Sequence, residues 1–288
     1  LEAYTDFASV YDIFMDDVPY QEWADFLVEL IERYGVSKPV RRDKETPDKG
    51  RGEAFYDKDA SEKELLDTEK NLVLDLGCGT GTLTELLYRK GYDMIGVDMS
   101  QEMLNIALSK REQEGSDILY LCQDMRDLDL YSTVGTVISV CDSVNYLLED
   151  EEILETFCLV NNYLYPGGIF IFDFNTIYKY EQVIGDATIA ENREDCSFIW
   201  ENLYHEKQHI NEYDLTVFAR EGELFRRFTE THFQRGYSLE EMIDYVEKAG
   251  MRIELVLDAD THKEPVECSE RIYIVAREVC KKAEQEDS

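Results

Sequence analysis

Three glycines stand at alternate positions in Val73-Leu74-Asp75-Leu76-Gly77-Cys78-Gly79-Thr80-Gly81, between an apolar run and a helical pattern. Without Cβ atoms in the way, ligand atoms can approach such a turn closely. The helix that follows offers unpaired N–H groups and a partial positive charge to a carboxylate or phosphate. A second apolar run ends in Gly96-Val97-Asp98-Met99-Ser100. An acid at that strand end, beside the glycine turn, can accept both hydroxyls of a ribose. Charge-assisted bonds of that kind contribute about 1.5 to 3 kcal/mol each. A glycine-rich turn alone serves several nucleotide folds. An NAD enzyme usually places its third glycine three residues after the second, where this chain has Thr82.

Acceptor-type residues cluster after later apolar runs. They are Asn145 and Tyr146, then Asp173 and Asn175, then His232 with Arg235 and Tyr237. Each falls where a crevice opens outside the carboxyl ends of strands, or where a lid would cover it. His232 is the histidine to nominate as a base, against ordinary packing on a strand. Asp142 could hold a loop or face an acceptor. Cys78 has the position of a nucleophile, but a small residue at a tight bend explains it. His205 and His209 have a metal spacing for a helix, yet the alternation around them argues for strands, so no metal site is expected.

The elements that must position these groups are legible from periodicity. A helix is expected from Tyr20 to Tyr34, with Pro19 at its start and Gly35 past its end. Strands are expected at Leu72 to Leu76, Met94 to Asp98, Ile118 to Cys122, Thr136 to Cys141 and Ile169 to Phe174. Helices begin near Gly81, Ser100 and Asp150. Strand and helix in alternation indicate an α/β, doubly wound, mostly parallel sheet. Ser197 to Tyr204, His209 to Ala219 and Leu224 to Phe233 alternate apolar and polar residues around a Glu221-Gly222-Glu223 turn, an added antiparallel meander. Ser238 and Glu241 form a capping box that opens a helix, and strands at Arg252 to Leu257 and Arg271 to Ala276 follow. The expected units are an N-terminal arm and helix (1–35), a charged insertion (36–70), a donor-binding core (71–176) and an antiparallel lid (177–237). A C-terminal helix with two core strands (238–280) and a polar tail (281–288) complete the chain.

The chain has 288 residues, of which 44% are apolar and 32% charged, a globular composition. It carries 63 Asp plus Glu against 29 Lys plus Arg, a net charge of −34. Such a field repels phosphate backbones, so nucleic acid is disfavoured as a partner. No apolar run reaches the roughly 18 residues of a membrane span, which argues against a membrane partner. The seven cysteines are widely spaced, with no C-x-x-C, and read as reduced thiols. No secretory signal is visible at Leu1 to Val10, so a cytoplasmic setting is expected. The oligomeric state is not readable.

The sequence resembles the class I S-adenosylmethionine-dependent methyltransferases over roughly Tyr4 to Arg277. Its Leu74 to Gly81 looks like their first motif, and Asp98 like the acid closing their second. The resemblance implies the Rossmann-like seven-stranded fold and S-adenosyl-L-methionine as cofactor. Donor contacts implied are Asp75, Gly77, Cys78, Gly79, Gly81, Asp98 and Met99. Asp124 is implied near the adenine amine, Met125 near the ring, and Cys141 in the pocket wall. Tyr4-Thr5-Asp6-Phe7-Ala8-Ser9-Val10-Tyr11-Asp12 is similar to the start of small-molecule branches of the family, whose N-terminal tyrosine closes over the donor. That implies Tyr4 and Tyr11 as donor contacts, against simple packing of an arm. The insertion at 36–69 and the meander depart from the pattern. The function implied is methyl transfer to N or O of a small-molecule acceptor. Competing readings are a donor-binding scaffold or sensor, an RNA or protein methyltransferase, and an NAD dehydrogenase.

Overall fold

The computed structural model describes residues 7–39 and 68–281. Tyr4, most of the charged insertion (40–67) and the tail from 282 lie outside the described residues. The described chain opens with two helices, α1 (Ala8–Phe14) and α2 (Tyr20–Tyr34). The periodicity foretells α2, whereas α1 is too short for a periodic signal. Next come β1 (Leu72–Leu76), α3 (Thr82–Arg89), β2 (Asp93–Asp98), α4 (Gln101–Glu114) and β3 (Leu119–Cys122). Beyond them lie β4 (Val134–Ser139), α5 (Asp150–Tyr163) and β5 (Leu164–Asn175).

Four further strands follow: β6 (Thr188–Asn192), β7 (Cys196–His205), β8 (Ile210–Glu221) and β9 (Leu224–Arg235). The chain closes with α6 (Leu239–Lys248), β10 (Met251–Asp258) and β11 (Arg271–Glu278). The larger sheet has the order β10-β11-β5-β4-β1-β2-β3. Its first five strands in sequence run parallel, and β11 is antiparallel to both β5 and β10. This is the mostly parallel, seven-stranded, doubly wound sheet that the alternation predicts.

Two apolar layers cover it, as a sheet buried on both faces requires. Leu72, Leu74 and Leu76 of β1 point with Phe170, Phe172 and Phe174 of β5 toward Phe157 of α5 and Met242 of α6. Val73 of β1 points the other way, with Ile169 and Ile171 of β5, toward Leu27 and Ile31 of α2 and Leu87 of α3. The neighbours of β1 are β2 on one side and β4 on the other. The chain thus changes winding direction between β1 and β4, and the loops after those strands diverge to open a crevice.

Two of the strand-boundary differences from expectation bear on the crevice and its sheet. β4 ends at Ser139, so Cys141 lies in the turn beyond it. β5 begins at Leu164 rather than Ile169, so Tyr165-Pro166-Gly167-Gly168 falls in an irregular strand start, with a register shift against β4 between Val134 and Thr136. The second sheet is a meander of four strands, β6-β7-β8-β9. Periodicity misses β6 because it is a mostly exposed edge strand with no buried row to produce alternation. The inner face of this sheet, with Cys196, Tyr213, Leu215 and Val217, packs on Val10, Phe7 and Phe14 around α1. Among the described residues no helix is long and apolar enough to cross a membrane.

A Cβ on Gly135 of β4 would lie 1.8 Å from the Lys70 carbonyl oxygen and 2.5 Å from Ser37 Oγ. A backbone carbonyl cannot swing aside. Gly135→Ala should therefore lose at least about 3 kcal/mol in urea unfolding. Gly222→Ala, in open space at φ +64°, should lose only about 1 kcal/mol.

Candidate active site

The glycine turn hangs from the end of β2. The Gly77 and Cys78 amides both donate to the Val97 carbonyl, at 2.8 and 3.0 Å. Asp98 completes the attachment: its Oδ2 accepts from the Gly79 amide and its Oδ1 from the Ser100 amide, each at 2.8 Å. A carboxylate has about four acceptor sites. Each oxygen therefore keeps capacity toward the crevice. Gly79 sits at φ +54° with nothing within 4 Å of a would-be Cβ, so the backbone there is bare toward ligand. Asp98 is pushed up from the usual carboxylate range by burial, against the pull of the amides of Ser100 and Gly79.

Asp75, at the end of β1, is buried and accepts from Thr84 Oγ1 at 2.6 Å. Burial pushes its carboxyl up to about 7, opposed by the Thr84 hydroxyl and assisted by the charge on Asp98. A cation placed beside it would favour the ionised form. Burial likewise raises the Cys78 thiol, so it is no thiolate nucleophile. Gly81 does not line the cleft; it precedes α3 at φ +74° with Tyr120 Oη where a Cβ would go.

The arm docks on this corner. Thr80 Oγ1 donates to Asp12 Oδ1 at 2.6 Å, and Lys110 Nζ reaches Asp12 Oδ2 and Thr82 Oγ1, each at 2.7 Å. The contact presents Tyr11 to the cleft. Met99, half exposed, lies on the far side with Asp124 and Met125 after β3. Asp124 is clamped by its neighbour: Arg126 Nη2 bonds Oδ2 at 2.6 Å and the Arg126 amide bonds Oδ1 at 2.9 Å. Burial pushes Asp124 up, but the Arg126 side chain and amide outweigh it and hold the carboxyl below its usual range.

The floor of the crevice is a left-handed turn. Cys141 and Asp142 have φ of +60° and +55°, conformations that non-glycine residues adopt at a cost. Asp173 holds them there: its carboxylate accepts from the Cys141 amide at 3.2 Å and the Asp142 amide at 2.9 Å, with Arg271 Nη1 at 3.7 Å. Burial pushes the Asp173 carboxyl up, and Arg271 opposes this. Asn145 works similarly. Its Nδ2 donates to the carbonyls of Asn175 and Arg235, and its Oδ1 accepts from the Asn175 amide at 2.8 Å. Neither Asp173 nor Asn145 lines the cleft. Both expectations as acceptor contacts are corrected: amides and carbonyls freed at strand ends need partners, and these two side chains provide them. Asn175, Arg235 and Tyr237 are tied in the same way, to Tyr180, Asp150 and the Leu147 carbonyl respectively.

Tyr146 and His232 do meet in the cleft. Tyr146 Oη lies 3.1 Å from His232 Nδ1 and 3.0 Å from Tyr213 Oη. Tyr213 stacks flat on the imidazole, with centroids 4.9 Å apart and planes within 6°. On the other side, His232 Nε2 is 3.4 Å from Glu230 Oε2, while Glu230 Oε1 accepts from the Phe7 amide at 2.9 Å. His232 and Glu230 are both buried. His205 and His209 are elsewhere on the β7–β8 hairpin, paired with Glu212 and Tyr204.

The resulting cleft has a volume of about 380 Å3 and joins Tyr11, Asp75, Gly77, Cys78, Gly79, Asp98, Met99, Asp124, Met125 and Cys141 to Tyr146 and His232. That is the size of a small-molecule site. One end, with bare amides and two acids, suits a polar nucleoside with a charged tail. The other, with phenol and imidazole, suits a second small molecule that gives up a proton. Periodicity alone misses Glu230, Tyr213 and the Asp12–Lys110 latch. Counting the hairpin register back from the Gly222 turn would have set Tyr213 opposite His232.

Residues 73–168 match the family described as methyltransferase domain. The chain is 32% identical over 275 residues to YqeM of Bacillus subtilis (strain 168), named as a methyltransferase, spanning 95% of this chain and 96% of that protein. A crystal structure of an S-adenosylmethionine-dependent methyltransferase from Clostridium acetobutylicum ATCC 824 superposes with a TM-score of 0.77 at 29% identity, over 96% of this chain and all of that one. A Streptomyces venezuelae N,N-dimethyltransferase of a dTDP-linked amino sugar is 32% identical over 103 residues, 36% of this chain and 42% of that enzyme.

Replacing Asp173 by Asn would turn an amide N–H toward the 141–142 turn and leave Arg271 without its buried counter-charge. The variant should lose about 3 kcal/mol of stability in denaturant unfolding. An unchanged midpoint would show that the turn holds itself.

Proposed function

Because this chain belongs to the class I S-adenosylmethionine-dependent methyltransferases, we propose that it moves the donor's methyl group to a nitrogen or oxygen of a small metabolite by in-line displacement. The observation that carries the small-molecule reading is the cleft itself. Its acceptor end is bounded by Tyr146, His232 and strand β9, and the whole cleft has the volume of a small-molecule site. The amino-sugar enzyme matched over a third of the chain works on a small amine, which agrees. The net charge of −34 disfavours an exposed nucleic-acid groove.

The residues present fit the donor. The open side of Gly79 admits a close approach of the amino-acid tail, Asp98 keeps acceptor sites for ribose hydroxyls, and Asp75 meets the α-ammonium. Met99, Asp124, Met125 and the wall at Cys141 enclose the base and the sulfur end, and Tyr11 covers them from the arm. When bound, the donor supplies a methyl group on a positively charged sulfur. The protein's share is orientation and exclusion of water, which together can lower the barrier by several kcal/mol. Tyr146 Oη and His232 Nδ1 stand ready to take the acceptor's proton.

The test is incubation with methyl-labelled donor and a metabolite extract. Label in a small product supports the reading, label in RNA or protein redirects it to a macromolecular acceptor, and tight binding without transfer makes the protein a sensor.

Asp98→Ala should weaken donor binding by about 2 to 4 kcal/mol, roughly 30- to 1000-fold in calorimetry. An unchanged dissociation constant would remove Asp98 from the ribose. Binding should also depend on pH. Below about 7 the Asp75 carboxyl holds a proton that must leave before it can pair with an ammonium. Affinity should rise about tenfold per pH unit up to that point and then flatten. Asp75→Asn should level the profile, and a level wild-type profile would place the ammonium elsewhere.

A further inference from the structure

Glu230 is an acid buried under the lid, with no place in the donor site. Strand alternation points it to the inner face of β9, two residues before His232, so both side chains emerge on the same side of the sheet. Its two oxygens face different partners. Oε1 receives the Phe7 amide, at the start of α1, and Oε2 lies 3.4 Å from His232 Nε2. The opposite ring nitrogen, Nδ1, lies 3.1 Å from Tyr146 Oη, and the flat stack of Tyr213 fixes the ring plane. Carboxylate, imidazole and phenol therefore stand in line, ending at the acceptor half of the cleft.

Resting on the methyltransferase reading above, the geometry points to Glu230 as the positioning residue of a Glu230–His232–Tyr146 proton relay. A neighbouring carboxylate accepts from an imidazole N–H and so decides which nitrogen carries the hydrogen. With Glu230 on the Nε2 side, the hydrogen resides on Nε2 and Nδ1 is left as an acceptor. Tyr146 then donates its hydroxyl hydrogen to Nδ1, and Tyr213 donates to Tyr146 Oη. As the acceptor's heteroatom gives its lone pair to the methyl carbon, its proton passes to Tyr146 Oη and Tyr146's own proton passes to Nδ1. The imidazolium so formed carries the positive charge that the sulfur loses, opposite the Glu230 carboxylate, until the proton escapes to water. The same logic of a buried acid orienting a histidine operates in hydrolase triads. At 3.4 Å the Glu230–His232 contact is an ion-pair distance rather than a formed hydrogen bond, and catalytic hydrogen bonds commonly close only when substrate binds.

A structural cap on α1 would need Glu230 Oε1 alone. Glu230→Gln separates the two roles, because Gln keeps an oxygen for the Phe7 amide but turns an N–H group toward Nε2. The full chain, labelled with nitrogen-15 histidine, is examined by long-range proton–nitrogen correlation above the ordinary imidazole pKa of about 6.5. The His232 signals are identified by their loss in His232→Asn. We expect the wild-type hydrogen on Nε2, and on Nδ1 in Glu230→Gln. A wild-type hydrogen on Nδ1, or on both nitrogens, overturns the relay even if the variant does not fold, and so does the same tautomer in both proteins. On the labelled metabolite extract, Glu230→Gln should lose about 100-fold in turnover with its dissociation constant for the donor unchanged. Equal turnover would also overturn the relay. Absence of turnover in the wild type would instead count against the small-molecule reading, with the tautomer still deciding the fate of the relay.

Discussion

Amide hydrogens that leave the ladder at the carboxyl edge of the sheet must find acceptors, and in this protein buried carboxylates supply them. Asp98 takes those of Gly79 and Ser100, tying the glycine turn to the start of α4. Asp173 takes those of Cys141 and Asp142, fixing a turn that would otherwise relax from its left-handed conformation. The crevice exists because both attachments hold its two lips apart and in register. An unsatisfied buried amide would cost about 1 to 3 kcal/mol, so the acids are structural before they are functional. Their elevated proton affinity is the counterpart of that placement, since few cations are nearby to offset burial.

The second sheet uses the same economy of groups for a different end. Its inner face packs on α1 and presents His232 to the cleft, with Tyr213 and Glu230 packed behind the imidazole. The arm is thus held at two points, by Glu230 at the Phe7 amide and by Lys110 and Thr80 at Asp12. One contact lies beside His232 and the other beside the glycine turn. A helix of seven residues joins them, so the two halves of the site share a roof.

Much of this was legible in advance because sheets buried on both faces write long apolar runs and glycine turns write themselves. The sheet, the turn at Gly77 and the position of Asp98 follow from those signals. Asn145 and Asp173 were misassigned because sequence tells which residues stand at strand ends but not which way they turn. A polar side chain there can face solvent, ligand or a stranded amide, and the last claims it when the surroundings are dry. Glu230 escaped notice because its neighbours Thr229 and Thr231 make it one polar residue among several, and only strand pairing distinguishes inside from outside. The edge strand β6 and the short α1 escaped because neither has enough buried positions to form a period.

The tip of the β8–β9 hairpin at Gly222 has a remote bearing on chemistry. Glu221 pairs with Leu224 there, and the ladder runs unbroken to Tyr213 and His232. His232 lies eight positions beyond Leu224, about 27 Å of extended chain. A slip of one residue at that exposed tip would turn every side chain on β9 over, burying Thr231 and Phe233 and casting the imidazole to the outside. The exposed tip and the buried imidazole therefore belong to one register, and the packing of the inner face on α1 is what keeps it.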